Sequence, residues 1–523
     1  MTTISTKPVY LYNTLTRRKD LFTPLHAPRV GMYTCGPTVY RDIHIGNFRA
    51  FMTSDWLRRM LEYNGYDVLV VRNITDVGHL QNDVEERGED RLEHEARATG
   101  RSAYEIAEYY TRKYMADAEE LNILPPHVSP KATEHIPEMQ TMTAKLIEKG
   151  LAYVANGNVY YDVSRFPNYG QLSGNTVENL REGGHGREQM EIAEDKDAPE
   201  DFALWKHGDA SRQMNWSSPW GIGFPGWHIE CSAMATKYLG EQFDIHTGGI
   251  DLRFPHHEDE IAQSQGATGK QPVQVWVHNE FLTISNRKMK VKGKGGENDE
   301  IKMSRSIGNV ILVSTLKEWG FDPLAYRYLL LTAHYRSKIN FTDESLTAAR
   351  NGLNNLRDDL AALLAAGAAN GHTAESDTWS EEAQRVREAF HAAINDDLEL
   401  PTALSITREV ARDHKIAPAE RRRLILDFDQ VLGLRLATVE AKAPRKVSEE
   451  VMELVRQRDA ARAARDWKRS DEIRDLLKAQ GYEVRDTPRG RNWFSTRKNR
   501  ARLNVCRQLA RALYFCYISN CER

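Results

Sequence analysis

The segment His44-Ile45-Gly46-Asn47 has the residue types of a phosphate-binding site, and it lies between a predicted turn and a predicted helix. The first turn of a helix offers unpaired backbone N–H groups to an anion, and a glycine there lets a nucleotide approach the backbone closely. His44 and Asn47 could then donate hydrogen bonds to a polyphosphate as charge develops on it. Four residues are a weak motif, and taken alone they favour a purely structural histidine.

A second segment, Lys302-Met303-Ser304-Arg305-Ser306, offers two cations far downstream of the first. Two cations suit a leaving pyrophosphate because it carries several negative charges. The preceding residues 287–300 are rich in lysine and glycine, and we interpret them as a flexible surface insertion. The two segments, in this order and on either side of a divided α/β sheet, resemble the signature pair of class I aminoacyl-tRNA synthetases.

Four further residues have metal-binding side chains. His256 and Glu260 are four apart, so a helix would place both on one face. Together with Cys35 and Cys231 they would offer two sulfur ligands, one nitrogen and one oxygen, a set compatible with zinc although the spacings resemble no zinc finger. Spacing alone favours two buried cysteines and a surface histidine. It also leaves three neighbouring side chains open as ligands: His257, Glu258 and Asp259.

The residues around these motifs alternate between strand and helix patterns. A strand at 30–34 precedes a turn and a helix with apolar residues at helical spacing, and a strand at 67–71 follows. A matching half lies at 226–285, with a helix and then strands near 243–246 and 273–277. Strands joined by a crossover helix predict a parallel sheet.

The rest of the chain differs in pattern from these two halves. Residues 125–215 read as an insertion with a helical part, a tyrosine-rich strand at 159–163 and a charged loop. The pattern is helical from 343 to 437, and residues 447–480 are again helical and dense in arginine. The last residues, 494–523, are strongly basic and hold three of the five cysteines.

The composition is that of a globular protein with several domains. Of 523 residues 41% are hydrophobic and 28% charged, which excludes a wholly disordered or collagenous chain. The net charge is −3, so a nucleic-acid partner would have to be bound by a local basic patch. We expect a cytoplasmic protein, because the sequence has neither a membrane-spanning apolar stretch nor an apolar secretory segment. That location argues against a disulfide framework.

From about residue 8 to residue 493 the sequence resembles the cysteinyl-tRNA synthetase family of bacterial type. The segments that carry this resemblance are MYTCGPTVYRDIHIGNFRAF, NITDVGH, GLAYVANGNVYYD, PGWHIECSAMA, FDIHTGGIDLRFPHHEDEIAQS, KMSRSIGN and FDPLAYRYLLLTAHYRS. The resemblance implies an α/β fold: a Rossmann-like catalytic domain with an inserted connective segment, then a helical tRNA-binding domain and a small C-terminal domain. The implied boundaries are a first catalytic half at 1–124, the insertion at 125–215, the second catalytic half at 216–300, the KMSRS loop and stem-contact region at 301–342, the helical domain at 343–437, the small anticodon-reading domain at 447–493 and an atypical basic tail at 494–523.

The resemblance also implies roles for individual residues. Its zinc ligands correspond to Cys35, Cys231, His256 and Glu260. Its ATP-binding residues correspond to Pro37, Thr38, His44, Gly46, Asn47, Lys302, Met303, Ser304, Arg305 and Ser306. Among these, the residues that would stabilise charge during catalysis are His44, Asn47, Lys302 and Arg305. The residues that would surround the substrate cysteine are Gly36, Thr75 and Trp227.

The implied enzyme is a cysteine–tRNA ligase, which uses Mg-ATP to form cysteinyl-adenylate and then transfers cysteine to the 3′ end of a cysteine-accepting tRNA. One zinc ion per subunit would bind the substrate sulfur as thiolate. A shaped apolar pocket separates such similar substrates by only about 10- to 200-fold, whereas a soft ligand is strongly preferred by zinc. The implied partners are tRNA, L-cysteine and ATP, with no membrane, and a monomer is expected.

Two alternatives remain at this stage. One is a related ligase that joins activated cysteine to the amine of a glucosaminyl-inositol; it shares the zinc and ATP motifs but lacks a comparable anticodon-binding region. The other is a catalytically silent RNA-binding relative, against which the intact motifs argue.

Two features depart from the family pattern. Arg305 stands where the family usually has lysine, which keeps the charge but presents a planar fork, so we expect activity with altered ATP affinity. The tail at 494–523 has no counterpart in the family; we interpret it as dispensable, with an RNA-binding extension as the alternative. In the small domain, residues that would combine phosphate contacts with base stacking are Arg485, Arg489, Arg491 and Trp493.

Overall fold

The computed structural model describes most of the chain. The described residues are 7–82, 87–176, 195–209, 212–285, 300–302, 310–369, 378–441, 449–479, 482–487 and 490–495. The interpretations of residues 287–299 as an insertion and of residues 496–523 as a basic tail lie outside them. The chain divides into two compact units, Met1–Ala441 and Lys442–Arg523.

The strands of the first unit are β1 (Tyr10–Asn13), β2 (Arg18–Leu21), β3 (Arg29–Thr34), β4 (Asp67–Arg72), β5 (Leu80–Asn82), β6 (Arg87–Asp90), β7 (Ala152–Ala155), β8 (Asn158–Tyr161), β9 (Phe202–His207), β10 (Trp216–Ser218), β11 (Gly221–Pro225), β12 (Phe243–Gly249), β13 (Val273–Asn279), β14 (Leu282–Ser285), β15 (Glu300–Lys302) and β16 (Ile339–Phe341). The second unit adds β17 (Tyr482–Thr487) and β18 (Gly490–Ser495).

The helices of the first unit are α1 (Ile45–Tyr63), α2 (Arg91–Thr99), α3 (Ala103–Glu120), α4 (Ile136–Glu148), α5 (Trp227–Leu239), α6 (His256–Thr268), α7 (Val313–Glu318), α8 (Pro323–Leu330), α9 (Asp343–Ala369), α10 (Glu381–Asn395), α11 (Leu400–Val410) and α12 (Pro418–Leu432). The second unit contains α13 (Glu449–Ala463) and α14 (Trp467–Ala479). Within the described part of the chain, none of these helices is both long and apolar enough to cross a membrane.

Four parallel strands, in the order β13-β12-β3-β4, form the central sheet of the first unit. A parallel sheet is covered on both faces, and its strands are accordingly apolar: Val30, Met32 and Val70 are buried. The four strands predicted for the two halves of the parallel sheet are all observed, and they pair in the predicted parallel sense. Because β3 pairs with β12, with Thr34 opposite Thr247, the two distant halves of the sequence lie side by side.

Helix α1 connects β3 to β4 and begins at the predicted phosphate-binding segment. Its residues Phe48, Met52 and Met60 are completely buried. Burial of one such side chain contributes about 1.5–3 kcal/mol, so this face stabilises the packing of the helix along most of its length. The helix ends at Tyr63, and Gly65 then adopts φ +87°, a left-handed conformation that glycine takes without strain.

The insertion contains α4 and an antiparallel sheet of five strands, in the order β10-β11-β9-β8-β7. The predicted strand at 159–163 is observed as β8, one residue earlier at its start and two earlier at its end. The sheet continues to Pro225, beyond the expected boundary at 215. The reason is that β11 returns to pair with β9, with Gly223 opposite His207.

A third sheet and a group of helices complete the first unit. Strand β14 pairs antiparallel with β15 and parallel with β16, and the β14–β15 pairing sets Thr283 opposite Lys302. Helices α9 to α12 confirm the predicted helical region. Their core includes the buried rings of Phe390 and Phe428, which stack with centroids 3.9 Å apart.

The second unit is small. Helices α13 and α14 pack through four buried side chains, and β17 and β18 form an antiparallel hairpin. The helical region predicted at 447–480 is therefore two helices. The hairpin reaches Ser495, so the first two residues of the segment 494–523 belong to β18. The four packed residues are Val451, Val455, Ile473 and Leu477.

Candidate functional site

The four predicted metal ligands come from three parts of the fold and meet at one point. Cys35 follows the carboxyl end of β3, Cys231 lies on α5, and His256 and Glu260 lie one turn apart on α6. All four side chains are buried, the most exposed being Cys35 at 7%. The edge of the sheet where parallel strands end is a usual place for a site, because side chains from several elements converge there.

The distances within this group suit a tetrahedral ion. The sulfurs of Cys35 and Cys231 are 3.8 Å apart, and Cys35 Sγ lies 3.6 Å from Glu260 Oε1. His256 Nε2 lies 3.1 Å from the same carboxylate oxygen. One ligand atom from each of the four residues lies within 4.8 Å of all the others. Tetrahedral zinc with its usual bond lengths separates neighbouring ligand atoms by about 3.3–3.8 Å.

Charge is distributed unevenly over these ligands. Burial opposes the ionisation of Cys231, yet its hydrogen bond with Cys35 and the charge of His256 lower its pKa to about 6. Burial also disfavours the His256 cation, but the neighbouring Cys231 and Glu260 raise its pKa to about 10. Burial raises the pKa of the Cys35 thiol well above its usual range. A thiolate and a carboxylate beside a protonated imidazole form a set from which a cation can displace protons.

A second set of side chains holds His256 in place. His256 Nδ1 lies 2.8 Å from His228 Nδ1, and His228 Nε2 lies 3.3 Å from Asp259 Oδ2. Tyr169 in turn donates to Asp259. Partners of this kind orient the ring of a metal ligand and leave its other nitrogen directed at the ion.

The three neighbouring side chains that the spacing left open as metal ligands, His257, Glu258 and Asp259, have different surroundings in the structure. Glu258 faces away from the cysteines and accepts hydrogen bonds from the backbone N–H groups of Ser173 (2.8 Å) and Leu172 (3.4 Å). Asp259 contacts His228, as described above. His257 is different, because its Nε2 lies 3.3 Å from Cys35 Sγ.

His257 belongs to a second possible ligand group, which consists of Cys35, His246, His257 and Glu260. His246 Nε2 lies 2.9 Å from Glu260 Oε2. Since both groups use Cys35 and Glu260, one ion cannot complete both at the same position. Sequence reasoning missed His246; its signal was a histidine within a predicted strand of the buried parallel sheet.

The predicted substrate residues Gly36 and Thr75 are joined by Asn73. The Gly36 N–H donates to Asn73 Oδ1 at 2.7 Å, and Asn73 Nδ2 donates to Thr75 Oγ1 at 3.1 Å. A Cβ at position 36 would lie only 1.6 Å from the Asn73 carbonyl oxygen, so only glycine fits. This chain of bonds places both residues beside Cys35.

Glu230 is a further site residue that sequence reasoning missed. It accepts a hydrogen bond from Thr75 Oγ1 at 2.8 Å, and His79 Nε2 lies 2.5 Å from its other oxygen. Burial raises the pKa of Glu230 and lowers that of His79, well outside their usual ranges. Trp227, the third predicted substrate residue, lies beside the four candidate metal ligands, with its ring centroid 4.4 Å from that of His256.

The predicted ATP segment lies at the start of α1. His44 is the N-cap residue, and its Nδ1 accepts from the Asn47 N–H at 3.3 Å, so the histidine also has the structural role that its sequence favoured. Pro37 and Thr38 lie beside Thr75, because the Thr75 N–H donates to the Pro37 carbonyl and Thr38 bridges to Thr75. The predicted ATP segment therefore lies close to the metal group, as we call the four candidate ligands Cys35, Cys231, His256 and Glu260.

Only the flanks of the second cationic segment are described. Lys302 is the last residue of β15, and residues 303–306, including Arg305, lie outside the described part. Downstream, the Ile45 N–H donates to the Ile311 carbonyl at 2.9 Å, and His44 forms an antiparallel bridge with Leu312. The backbone that follows the second cationic segment is thus hydrogen-bonded to the start of α1, where the first segment lies.

Two family models match the chain. Residues 21–351 match the class I (C) tRNA synthetase catalytic domain, and residues 445–493 match the cysteinyl-tRNA ligase anticodon binding domain. The first match covers more than half of the chain and includes all four candidate metal ligands.

Curated relatives match over nearly the whole length. Cysteine–tRNA ligase 1 of Burkholderia lata is 44% identical over 93% of this chain and 97% of its own length. Cysteine–tRNA ligase of Treponema denticola is 41% identical over 92% and 99%, and that of Chlorobaculum tepidum is 39% identical over 93% and 98%.

A solved structure agrees with the fold. Methionyl-tRNA synthetase of Mycobacterium tuberculosis, in complex with methionyl-adenylate, superposes with a TM-score of 0.51 at 13% identity, over 78% of this chain and 90% of that one. At this identity the likeness concerns the fold alone. With the catalytic and anticodon-domain matches and relatives that are 39–44% identical over almost the full length, the chain belongs to the cysteinyl-tRNA synthetase family of class I aminoacyl-tRNA synthetases.

Proposed function

We propose that this protein is a cysteine–tRNA ligase. It activates L-cysteine with Mg-ATP and transfers it to the 3′ end of a cysteine-accepting tRNA. The observation that carries the proposal is that one chain matches both the class I catalytic domain and the cysteinyl-tRNA ligase anticodon binding domain. A ligase acting on a glucosaminyl-inositol amine does not bind an anticodon, so the second domain argues against it. A catalytically silent relative would not require a complete metal and nucleotide site.

The donor set fits one zinc ion per chain. We infer that Cys35, Cys231, His256 and Glu260 hold it, because this group offers two soft sulfur ligands at tetrahedral spacing whereas the overlapping group offers one. When bound, zinc supplies a soft Lewis acid that prefers a thiolate over a serine hydroxyl. His228 orients the His256 ring through the Nδ1 atom, which leaves Nε2 directed at the other ligands.

The residues beside the metal group would hold the substrate amino acid. Gly36 follows Cys35 directly and is joined to Thr75 through Asn73, and the Trp227 ring contacts that of His256. Glu230 and Asn73 both bond the Thr75 hydroxyl and so fix its direction. Rigid positioning of this kind lowers the entropy cost of bringing the carboxylate of cysteine to ATP.

Activation is an in-line displacement at the α-phosphorus of ATP. A carboxylate oxygen of cysteine forms a bond to that phosphorus while the bond to the pyrophosphate oxygen breaks, giving cysteinyl-adenylate and pyrophosphate. His44, Asn47, Lys302 and Arg305 stabilise the charge that develops on the phosphates. The remaining proposed contacts to ATP come from Pro37, Thr38, Gly46, Met303, Ser304 and Ser306.

Transfer to tRNA follows from the adenylate. A hydroxyl of the terminal adenosine attacks the activated carbonyl, the ester bond forms, and AMP leaves. No protein side chain is assigned as general base in this step. The helical region 343–437 would support the tRNA, and residues 447–493 would read the anticodon through Arg485, Arg489, Arg491 and Trp493.

The test is charging of a cysteine-accepting tRNA transcript with labelled cysteine and ATP. The expected result is ATP-dependent attachment of cysteine, with serine as the matched control giving no product. A folded, zinc-loaded sample that charges no tRNA but couples cysteine to a glucosaminyl-inositol would establish the alternative ligase. A sample that binds tRNA and forms no adenylate would establish the silent relative.

A further inference from the structure

Arg49 is a buried arginine on α1, just beyond the first ATP segment and outside both nucleotide motifs. It is 2% exposed, and its guanidinium donates to three backbone carbonyls: those of Phe281 at 2.5 Å, Tyr335 at 3.1 Å and Ser337. A buried cation is costly unless its donors are hydrogen-bonded. The three bonds therefore fix the positions of these carbonyls relative to α1.

The three carbonyls lie next to the sheet that leads to the second cationic segment. Phe281 immediately precedes β14, and Ser337 lies just before β16. Strand β14 pairs with both β16 and β15, and β15 ends at Lys302. A single side chain of the first motif's helix thus holds the sheet from which the second motif begins.

The downstream end of the second segment is attached to the same helix independently. The Ile45 N–H donates to the Ile311 carbonyl at 2.9 Å, and His44 pairs with Leu312. On α8, Tyr326 donates its hydroxyl proton to the Ile45 carbonyl at 2.8 Å. Both flanks of the segment between Lys302 and Ile311 are consequently tied to the first residues of α1.

We propose that Arg49 is a positioning residue for ATP, which holds the sheet carrying Lys302 at a fixed distance from His44 and Asn47. The inference rests on the proposed function, because it requires both motifs to contact one nucleotide. Misplacement of reacting groups by about 1 Å can lower a rate by about 100-fold. The planar guanidinium of arginine donates to three carbonyls at once, whereas the compact ammonium of lysine cannot hold all three in these positions.

The chain offers a matched control in Arg327 on α8. Arg327 is wholly buried and also donates to backbone carbonyls, those of Leu432 at 2.8 Å and Asn122 at 3.0 Å, and to Asp55. None of its described partners belongs to the β15-β14-β16 sheet. Both arginines therefore lie on α1 or bond to it, since Asp55 belongs to that helix, but only Arg49 connects α1 to the β15-β14-β16 sheet.

The experiment compares Arg49→Lys, Arg49→Gln and Arg327→Lys in the full chain by cysteine-dependent ATP–pyrophosphate exchange. For both Arg49 variants we expect the KM for ATP to rise about tenfold and kcat to fall by about 10- to 100-fold. The KM for cysteine should stay within about threefold of the wild-type value, with one zinc per chain, because the metal group is held by other elements. For Arg327→Lys we expect a lower unfolding midpoint and an unchanged KM for ATP.

An equal rise in the ATP KM for Arg49→Lys and Arg327→Lys would overturn the proposal, and so would an equal rise for cysteine and ATP. If the wild-type protein shows no cysteine-dependent exchange, it is the proposed function that fails, not the role of Arg49. Should neither Arg49 variant fold in plain buffer, the same comparison is made in trimethylamine N-oxide, an osmolyte that favours the folded state of every variant. The selective rise in the ATP KM of the Arg49 variants is again expected, and an ATP KM equal to that of the wild type in the same osmolyte would overturn the proposal.

Discussion

The sulfur of Cys35 lies 3.8 Å from the sulfur of Cys231, although 196 residues separate the two in the chain. Both thiols are free and buried. The contact exists because the strand that ends before Cys35 and the helix that carries Cys231 meet at one edge of the parallel sheet. It makes the two cysteines available to a single ion.

Replacing Cys231 tests which of the two overlapping groups binds zinc. We expect Cys231→Ala to lose most of its zinc in a colorimetric assay of the dialysed protein, because it removes one of two soft ligands. His246→Ala is the control, since His246 belongs only to the second group; it should keep one zinc per chain. The reverse pattern would assign the ion to Cys35, His246, His257 and Glu260.

Arg305 provides a test of the second cationic segment. We expect Arg305→Lys to retain exchange activity within about tenfold of the wild type, with a changed KM for ATP, because the charge is kept and only the donor geometry differs. Arg305→Ala should lower kcat much further. A gain of several orders of magnitude on restoring lysine would show that the arginine impairs the site.

Leu57 on α1 tests how strongly this helix is anchored. Its side chain is fully buried, so Leu57→Ala should lower the free energy of unfolding by about 2–5 kcal/mol in urea titrations. Leu69 on β4 is 40% exposed and serves as the control, with an expected cost of less than about 1 kcal/mol for Leu69→Ala. Similar losses in both variants would contradict the assigned packing of α1.

His391 on α10 should make stability depend on pH. Burial, together with the charges of Lys7 and Arg387, lowers its pKa from 6.5 to about 4. Between these values the unfolded chain binds a proton that the folded chain does not, so this residue lowers stability as the pH falls from 6.5 towards 4. The contribution at pH 5 is about 1–2 kcal/mol.

The measurement for His391 is urea unfolding at pH 7.5 and pH 5. His391→Gln removes the titrating group, so the variant should lose less stability than the wild type on acidification. Ala389→Gln, at an exposed position of the same helix, introduces the same side chain without removing a titrating group; it is the control and should follow the wild-type profile. An identical loss in His391→Gln and wild type would show that His391 titrates normally in the folded protein.

Deletion of the residues after Ser495 tests the basic tail. The cut is placed there because β18 extends to Ser495. If the tail is dispensable, the truncated protein binds tRNA with unchanged affinity and an unchanged dependence of the binding constant on salt. An RNA-binding tail would instead contribute phosphate contacts, and its removal would lower both the affinity and the salt slope.

Local patterns in the sequence predicted the elements well. Apolar residues at strand and helix spacing located the four parallel strands and α1, because burial of each side chain is a local property of that pattern. The last strand of the inserted sheet was not among the predicted strands. Strand β11 is rich in glycine and was recognisable only through its pairing with β9, which is a long-range contact.

The residue types and the resemblance they carry by themselves determined the family and the four candidate ligands Cys35, Cys231, His256 and Glu260. Only the tertiary structure decided which other side chains face that group, namely His246, His257 and Glu230, and that Arg49 links the helix of one nucleotide motif to the sheet of the other. The physical reason is that these relationships arise where distant strands and helices pack together. A spacing along the chain records the period of one element, whereas a contact between elements depends on the whole fold.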